Sequence, residues 1–274
     1  MSAPPDAAGT EAVTFSFGKN WRQFLDTLTE ERIDRARDSL ADWLGDLRGL
    51  SFLDAGSGSG LFSFGAHALG ASRIESFDID PFSVDCTRHM HARAGAPAFW
   101  QVRQGSVLDR AFLEPLGTFD VVYSWGVLHH TGDMRAAIRN AAARVAPGGR
   151  LFLAIYNRVR GPLGSRTWLA LKRLYNRLPG PGKRAMEWSY AGAWCAWSVV
   201  RLKNPWRRLR EDMAPRGMRW WTGMVDWLGG LPYEFATVDE LVDCVQREAP
   251  GMKVERKLGV KTLACHEVLF RRPR

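Results

Sequence analysis

The chain has 274 residues, 46% of them apolar, which is enough for one elaborated domain with a sizeable core. Its four cysteines, at 86, 195, 244 and 265, contain no C-x-x-C pair, so neither a disulfide framework nor a cysteine zinc site is signalled, and no His, Asp or Glu spacing suggests another metal. The start MSAPPDAAGTEA lacks a cationic, then apolar, leader, and no apolar run approaches the roughly 20 residues that cross a bilayer, so a reducing, cytoplasmic setting is expected.

Residues 1–12 are small and polar and are expected to be a disordered tail. TFSFGKNWRQF follows, with Phe17 and Trp21 as apolar surface that needs covering, and residues 13–49 read as an N-terminal cover for a ligand. Thr27 with Glu30 resembles a capping box, after which Ile33, Ala36, Leu40, Trp43 or Leu44, and Leu47 recur at helical spacing. SFLDA reads as a buried strand, LFSFGAHALG as a helix stopped by glycine, and RIESFDID as a second strand. Pro81 starts a helix through Arg93, VRQGSVLD is a third strand, and FDVVYSWGV a fourth. MRAAIRNAAARV is an alanine-rich helix stopped by Pro147-Gly148-Gly149, and RLFLAIYN is a fifth strand. Beyond residue 236, TVDELVDCVQREA reads as a helix, with MKVERKL and CHEVLF as two closing strands. Strands alternating with helices at this rhythm imply an α/β, doubly wound, mostly parallel seven-stranded sheet with helices on both faces. The core would comprise residues 50–157 and 237–274.

Between them lies a segment of a different kind. The net charge of +9 is local: residues 157–236 carry 15 Lys and Arg against 5 Asp and Glu, and eight of the twelve tryptophans, whereas the rest of the chain is close to neutral. Residues 158–236 therefore read as a helical insertion that serves as a lid over a substrate.

The chemistry begins at FLDAGSGSGLF, residues 52–62. In an open parallel sheet, ligands sit beyond the carboxyl ends of the strands, where strand order reverses. A dinucleotide turn needs G-x-G-x-x-G/A, but counting from Gly56 or Gly58 puts Leu61 or Ser63 at the last position. A phosphate-binding P-loop needs a Lys that is absent here. What remains is Asp-x-Gly-x-Gly-x-Gly, Asp54 to Gly60, followed about 20 residues later by an acidic strand end, Asp78 in SFDIDP.

These residues resemble the signature of class I S-adenosylmethionine-dependent methyltransferases, over about residues 50–157 and again over 237–270. The resemblance implies that Asp54, Gly56, Ser57, Gly58 and Gly60 form the cofactor turn, with Asp54 ordering it and holding the ammonium end of the methionine moiety. It implies that Asp78, beside Ile79, accepts the ribose hydroxyls. Ser106 and Val107 would flank the adenine, with Ser106 where the family commonly has an acidic residue, and Ser124 and Trp125 would close the site at the end of the fourth strand. YSWGVLHHTGDM is similar to the corresponding segment of small-molecule methyltransferases, especially those acting on hydroxyls of ubiquinone-type polyprenyl phenols and related natural products. His129 or His130 would be the base, because imidazole titrates near neutrality, and the other would support it. Phe17, Trp21, Tyr156, Asn157, Trp220, Trp221, Trp227 and Tyr233 are candidate walls for the acceptor.

Two readings of other classes stand beside this one. A basic, tryptophan-rich insertion suits a nucleic-acid methyltransferase, although SWGV stands where amino-methylating enzymes of that type carry (Asp/Asn)-Pro-Pro-aromatic. It also suits a non-catalytic protein that docks on a membrane or a partner, SYAGAWCAWSVV being uncharged for twelve residues and flanked by arginines.

Overall fold

The computed structural model describes residues 28–204 and 220–274. Seven strands form one sheet in the order β3-β2-β1-β4-β5-β7-β6: β1 (Ser51–Ala55), β2 (Arg73–Asp78), β3 (Trp100–Gln104), β4 (Phe119–Trp125), β5 (Val145–Tyr156), β6 (Lys253–Leu258) and β7 (Cys265–Arg271). The pairings β3–β2, β2–β1, β1–β4 and β4–β5 are parallel, whereas β7 runs antiparallel to both β5 and β6. The sheet is therefore mixed, which corrects the mostly parallel expectation at that edge. The order reverses between β1 and β4, so the glycine turn after β1 opens into the crevice that this topology creates.

Alternation along the strands sends neighbouring side chains to opposite faces. Phe52, Ile74, Val121, Tyr123 and Phe152 pack under helices α1 (Glu30–Leu44) and α2 (Leu61–Ala68), where Leu40, Trp43 and Leu44 complete the layer. Leu53, Val122, Leu151 and Leu153 face the other way, against Ile138 and Ala141 of α5 (Met134–Ala143) and Leu241 and Val245 of α9 (Val238–Glu248). Gly65 lets α1 and α2 touch, since a Cβ there would stand 2.9 Å from the Leu40 side chain. Helix α3 (Pro81–Arg93) starts as the sequence indicates, with Asp80 Oδ1 accepting from the Phe82 amide at 2.9 Å and proline in its first turn. The α9 capping box is complete, Thr237 and Glu240 each accepting from the other's backbone amide.

Three boundaries differ from the sequence reading. Thr29 precedes α1 as its cap residue, and Thr27 lies outside the described residues. Strand β3 runs two residues earlier than VRQGSVLD, because the Gly105–Asp109 stretch turns back: Ser106 Oγ accepts from the Leu108 amide at 3.1 Å, and Asp109 caps the single-turn α4 (Arg110–Leu113). Strand β5 begins at Val145, so Pro147-Gly148-Gly149 lies inside it as an irregularity in the β4–β5 register.

The insertion leaves and rejoins the sheet at one place. Ala236 donates to the Tyr156 carbonyl at 3.0 Å and Arg158 to the Ala236 carbonyl at 3.0 Å, an isolated bridge at the carboxyl end of β5. Between these points run α6 (Ser165–Arg177), α7 (Gly180–Val200) and α8 (Trp220–Gly229). They enclose a small core of their own, with Tyr175, Ala191, Met224 and Leu228 buried and Trp168, Trp220 and Trp221 packed against them.

Candidate active site

The glycine turn is shaped by close approach. Gly56, Gly58 and Gly60 all have positive φ, a conformation that costs a residue with a Cβ about 1–2 kcal/mol. A Cβ on Gly56 would lie 2.4 Å from the Val127 side chain, and one on Gly60 would lie 2.7 Å from the Thr87 Cα. Gly60 thus seats helix α3, and Gly56 admits Val127, pressing the segment after β4 onto the turn. Ser57, 6% exposed, hydrogen-bonds Thr87 through its hydroxyl at 2.9 Å and belongs to the same seat.

Two carboxyl groups line this turn without a cation. Asp54, 2% exposed, ends a directed chain: Trp100 Nε1 donates to Ser76 at 2.8 Å, Ser76 to Ser63 at 2.7 Å and Ser63 to Asp54 Oδ2 at 2.5 Å. Asp78 accepts from the Gly58 amide at 2.9 Å and the Asp80 amide at 3.0 Å, bridging the turn to the end of β2. Burial raises both, Asp54 to about 7 against the pull of Ser63 and with a push from Asp78, and Asp78 to about 6. Among the described residues no Lys or Arg pairs with either. A ligand bringing an ammonium and a vicinal diol would satisfy both carboxyls, whereas a pyrophosphate would be repelled. Ile79, half exposed, and Trp125, held through Nε1 to Glu267 at 3.0 Å, offer apolar surface at the strand ends. This donor set fits S-adenosylmethionine.

Three of the sequence-predicted cofactor residues act from within the structure. Ser124 is fully buried and donates to the Ala55 carbonyl at 2.8 Å, tying β4 to β1. Val107 is 5% exposed in the core, its carbonyl accepting from Asn140 at 3.0 Å, and Ser106 forms the turn described above.

The segment beyond Val127 makes a single 3₁₀ turn, Leu128–His130, that holds the two imidazoles side by side with ring centroids 4.4 Å apart. Tyr156 lies 4.1 Å from His129 and 5.5 Å from His130, Tyr233 lies 5.3 Å from Tyr156, and Trp227 lies 5.8 Å from Tyr156. The returning end of the insertion clamps this turn: Glu234 donates its amide to the His129 carbonyl at 2.9 Å, and His130 Nδ1 donates to the Pro232 carbonyl at 2.5 Å. A carbonyl only accepts, so neutral His130 carries its proton on Nδ1 and its lone pair on Nε2. Burial lowers His130 to about 4 and His129 well below its usual value, with Lys172 adding to both effects, so each ring is neutral at neutral pH. Among the described residues neither nitrogen of the fully buried His129 has a hydrogen-bond partner.

Of the predicted acceptor walls, Tyr156 and Tyr233 join the histidines. Trp220 and Trp221 do not: they pack at a tilt on Trp194 and Trp188 at 5.1 and 4.9 Å inside the insertion, and of the three predicted tryptophans it is Trp227, itself 5.1 Å from Trp168, that stands beside Tyr156. Asn157 has another task, its amide donating to the Val260 and Thr262 carbonyls at 2.9 Å each and accepting from His266 Nε2 at 2.7 Å, which fixes the loop before β7. Phe17 and Trp21 lie outside the described residues. The sequence reading missed Lys172, Pro232 and Glu234. A lysine at a position facing the buried side of amphipathic α6 was the available signal for the first; the other two act through backbone atoms, which composition does not reveal. His67 and His91 pack against Phe99 and Trp100 on the far side of the sheet. Among the described residues no group of three His, Cys, Asp or Glu is placed to hold a metal.

The methyltransferase-domain family matches residues 25–211. The ubiquinone biosynthesis O-methyltransferase of Xanthomonas euvesicatoria is 37% identical over 113 residues, 41% of this chain and 46% of the relative, and that of Methylobacterium nodulans is 36% identical over 112 residues, 41% and 43%. The match thus spans less than half the length of these relatives. Among solved structures, the magnesium protoporphyrin IX methyltransferase of Synechocystis PCC 6803 with bound SAH superposes with a TM-score of 0.54 at 16% identity over 93% of both chains. An S-adenosylmethionine-dependent methyltransferase of Mesorhizobium loti gives 0.52 at 16% identity over 88% of this chain and 100% of the other, and at such identities the likeness is one of fold. With the family match covering more than half of its length, the chain belongs to the methyltransferase-domain family.

Proposed function

We propose that the protein transfers a methyl group from S-adenosylmethionine to a hydroxyl of a small aromatic, prenylated or other natural-product acceptor. The observation that supports this reading is the join at Gly56 and Val127: the turn whose two carboxyls have no cation partner among the described residues is packed directly against the segment bearing two neutral imidazoles, which suits cofactor and acceptor seats that share a wall. S-adenosylmethionine, when bound, supplies an electrophilic methyl on a sulfonium, an excellent leaving group, so the chain's task is alignment, exclusion of water and removal of one proton. In this reading Asp54 holds the ammonium end and Asp78 the ribose hydroxyls. His130 takes the acceptor's hydroxyl proton at Nε2, with its ring fixed through Nδ1 by Pro232, and His129 hydrogen-bonds the acceptor. The insertion is the lid that brings Tyr233 and Trp227 over them. The ubiquinone relatives favour a phenolic hydroxyl. The four cysteines, all free, suit a cytoplasmic enzyme.

The experiment is to incubate the protein with the cofactor and extract from its source, and to search for compounds that gain about 14 daltons, the mass of one methylene, only when the protein is present. Methyl incorporation into nucleic acid instead would overturn the assignment. The uncharged half of α7 favours an accompanying peripheral membrane contact, because Trp188 and Trp197 are 67% and 55% exposed there. Sedimentation with anionic vesicles tests it, binding being the expected result.

A further inference from the structure

Among the described residues, Lys172 is the largest charged side chain sealed in the molecule. It projects from α6, is 1% exposed, and donates through Nζ to the Trp227 carbonyl, with the ammonium 4.4 Å over the Trp227 ring and 4.8 Å over the Tyr233 ring. Among the described residues no carboxylate stands within ion-pairing distance. An ammonium taken out of water without a counter-charge is costly, and cation–π contact with two rings offsets only part of that cost.

A purely structural role is available: the Trp227 carbonyl lies in the last turn of α8, where a cation meets the negative end of the helix. Yet the same clasp is made one turn along α6 by a neutral group, Asn176 donating to the Gly229 carbonyl at 2.8 Å. Holding α6 to α8 therefore does not require a buried charge. The second observation is independent. His129, in the same aromatic cluster, has two ring nitrogens with no partner among the described residues, one of them necessarily an N–H donor. A cation with no carboxylate in ion-pairing distance among the described residues and an unused donor, beside Tyr156, Trp227 and Tyr233, are complementary to one kind of ligand group.

We propose that Lys172 and His129 form an oxyanion-recognition subsite, and that the acceptor is an aromatic compound carrying an anionic oxygen, either a carboxylate or an ionised phenol. This rests on the methyltransferase reading and narrows its substrate class. It also gives the lid a chemical function, since Lys172 enters the chamber only as the lid is in place.

The groups facing Lys172 are His129 and His130 from the turn after β4, Asp226 from α8, and Tyr233 from the returning segment. His130 is lowered to about 4 and Tyr233 raised to about 12, both by burial, so neither changes charge between pH 7 and 9. Burial lowers Lys172 itself to about 7, with Asp226 opposing, so anion binding should be strongest below pH 7 and weaken as pH rises to 9.

The test uses the full chain with S-adenosylhomocysteine and three probes: 4-hydroxybenzoate, its neutral counterpart 4-hydroxybenzamide, and 4-nitrophenol, whose absorbance reports ionisation. Wild type should bind the benzoate or the nitrophenolate at least about tenfold more tightly than the amide at about pH 6.5, and lose that preference by about pH 9. Lys172→Met should abolish the preference at every pH, while Lys172→Arg keeps it without the alkaline loss. Which anionic probe shows the effect separates the carboxylate from the phenolate source. Wild type that binds S-adenosylhomocysteine but shows no preference for either anion overturns the subsite and leaves the methyltransferase reading intact; wild type that does not bind S-adenosylhomocysteine overturns both. A Lys172→Met protein that loses all ligands equally makes the residue structural and also contradicts the proposal. Should that variant fail to fold, the wild-type pH profile and Lys172→Arg decide the question.

Discussion

The turn after β1 and the helical insertion solve the problem of burial in opposite ways. Around the turn, the chain shields carboxyl groups from water with no cation paired to them among the described residues, Asp54 raised to about 7 and Asp78 to about 6. In the insertion it buries a cation with no carboxylate in ion-pairing distance among the described residues, Lys172 lowered to about 7, next to two imidazoles held neutral. The turn touches the segment that carries the imidazoles where Gly56 admits Val127. On the proposed function this difference divides the work: the sheet end would receive a cationic nucleoside, and the aromatic cluster under the insertion the group that attacks it.

The largest effect expected from breaking one half alone is His130→Ala. With the proposed base removed, kcat should fall by roughly 10²–10⁴, while S-adenosylhomocysteine affinity, measured by calorimetry, stays the same. A parallel loss of cofactor affinity would show that the two seats are not separable. Gly56→Ala strikes the contact between them: positive φ and overlap with Val127 together should cost about 2–4 kcal/mol in denaturant unfolding. Adding Val127→Ala should recover the overlap but leave the backbone cost of about 1–2 kcal/mol. Full recovery would mean that the backbone is not constrained there.

Tryptophans sharpen the comparison within the insertion. Trp227→Ala should raise the acceptor KM several-fold, whereas Trp221→Ala, which removes a ring packed on Trp188, should lower the melting temperature with KM unchanged. The smallest effect is the pH dependence of stability, where the halves oppose each other. The two imidazoles have folded values below their usual 6.5, so the stability they contribute is present above that pH and is lost as pH falls toward 4. Asp54 and Asp78 have raised folded values, so their contribution is present below pH 3.8 and is lost as pH rises through about 6 to 7. His130→Phe should therefore flatten the acid limb of an unfolding-versus-pH curve, and adding S-adenosylhomocysteine should flatten the limb between about pH 5 and 7. The reverse assignment of limbs would contradict neutral imidazoles and raised carboxyls alike.

The sheet half was readable because spacing encodes it. Gly56, Gly58 and Gly60 at alternate positions after an apolar strand admit few turns, and Asp78 follows at a distance set by one helix and one strand. The antiparallel β7 was not readable, because an alternating apolar strand carries no mark of direction. In the insertion, tryptophan content pointed to aromatic walls but not to which rings would face inward: Trp227 does and Trp221 does not, a distinction made by the packing of α6, α7 and α8 on one another. The clamp on the imidazoles escaped altogether, because Pro232 and Glu234 act through a carbonyl and an amide that every residue type shares, and only the return of the insertion to the end of β5 brings them there.

A calorimetric titration with S-adenosylhomocysteine decides whether the Asp54–Gly60 turn and Asp78 form a seat for S-adenosylmethionine, on which every other assignment depends. Wild type should bind one equivalent, and Asp78→Ala should bind at least about tenfold more weakly, because a charge-assisted hydrogen bond to the ribose is worth on the order of 1.5–3 kcal/mol. No binding by wild type, or an Asp78→Ala affinity within about twofold of it, would mean that the seat lies elsewhere.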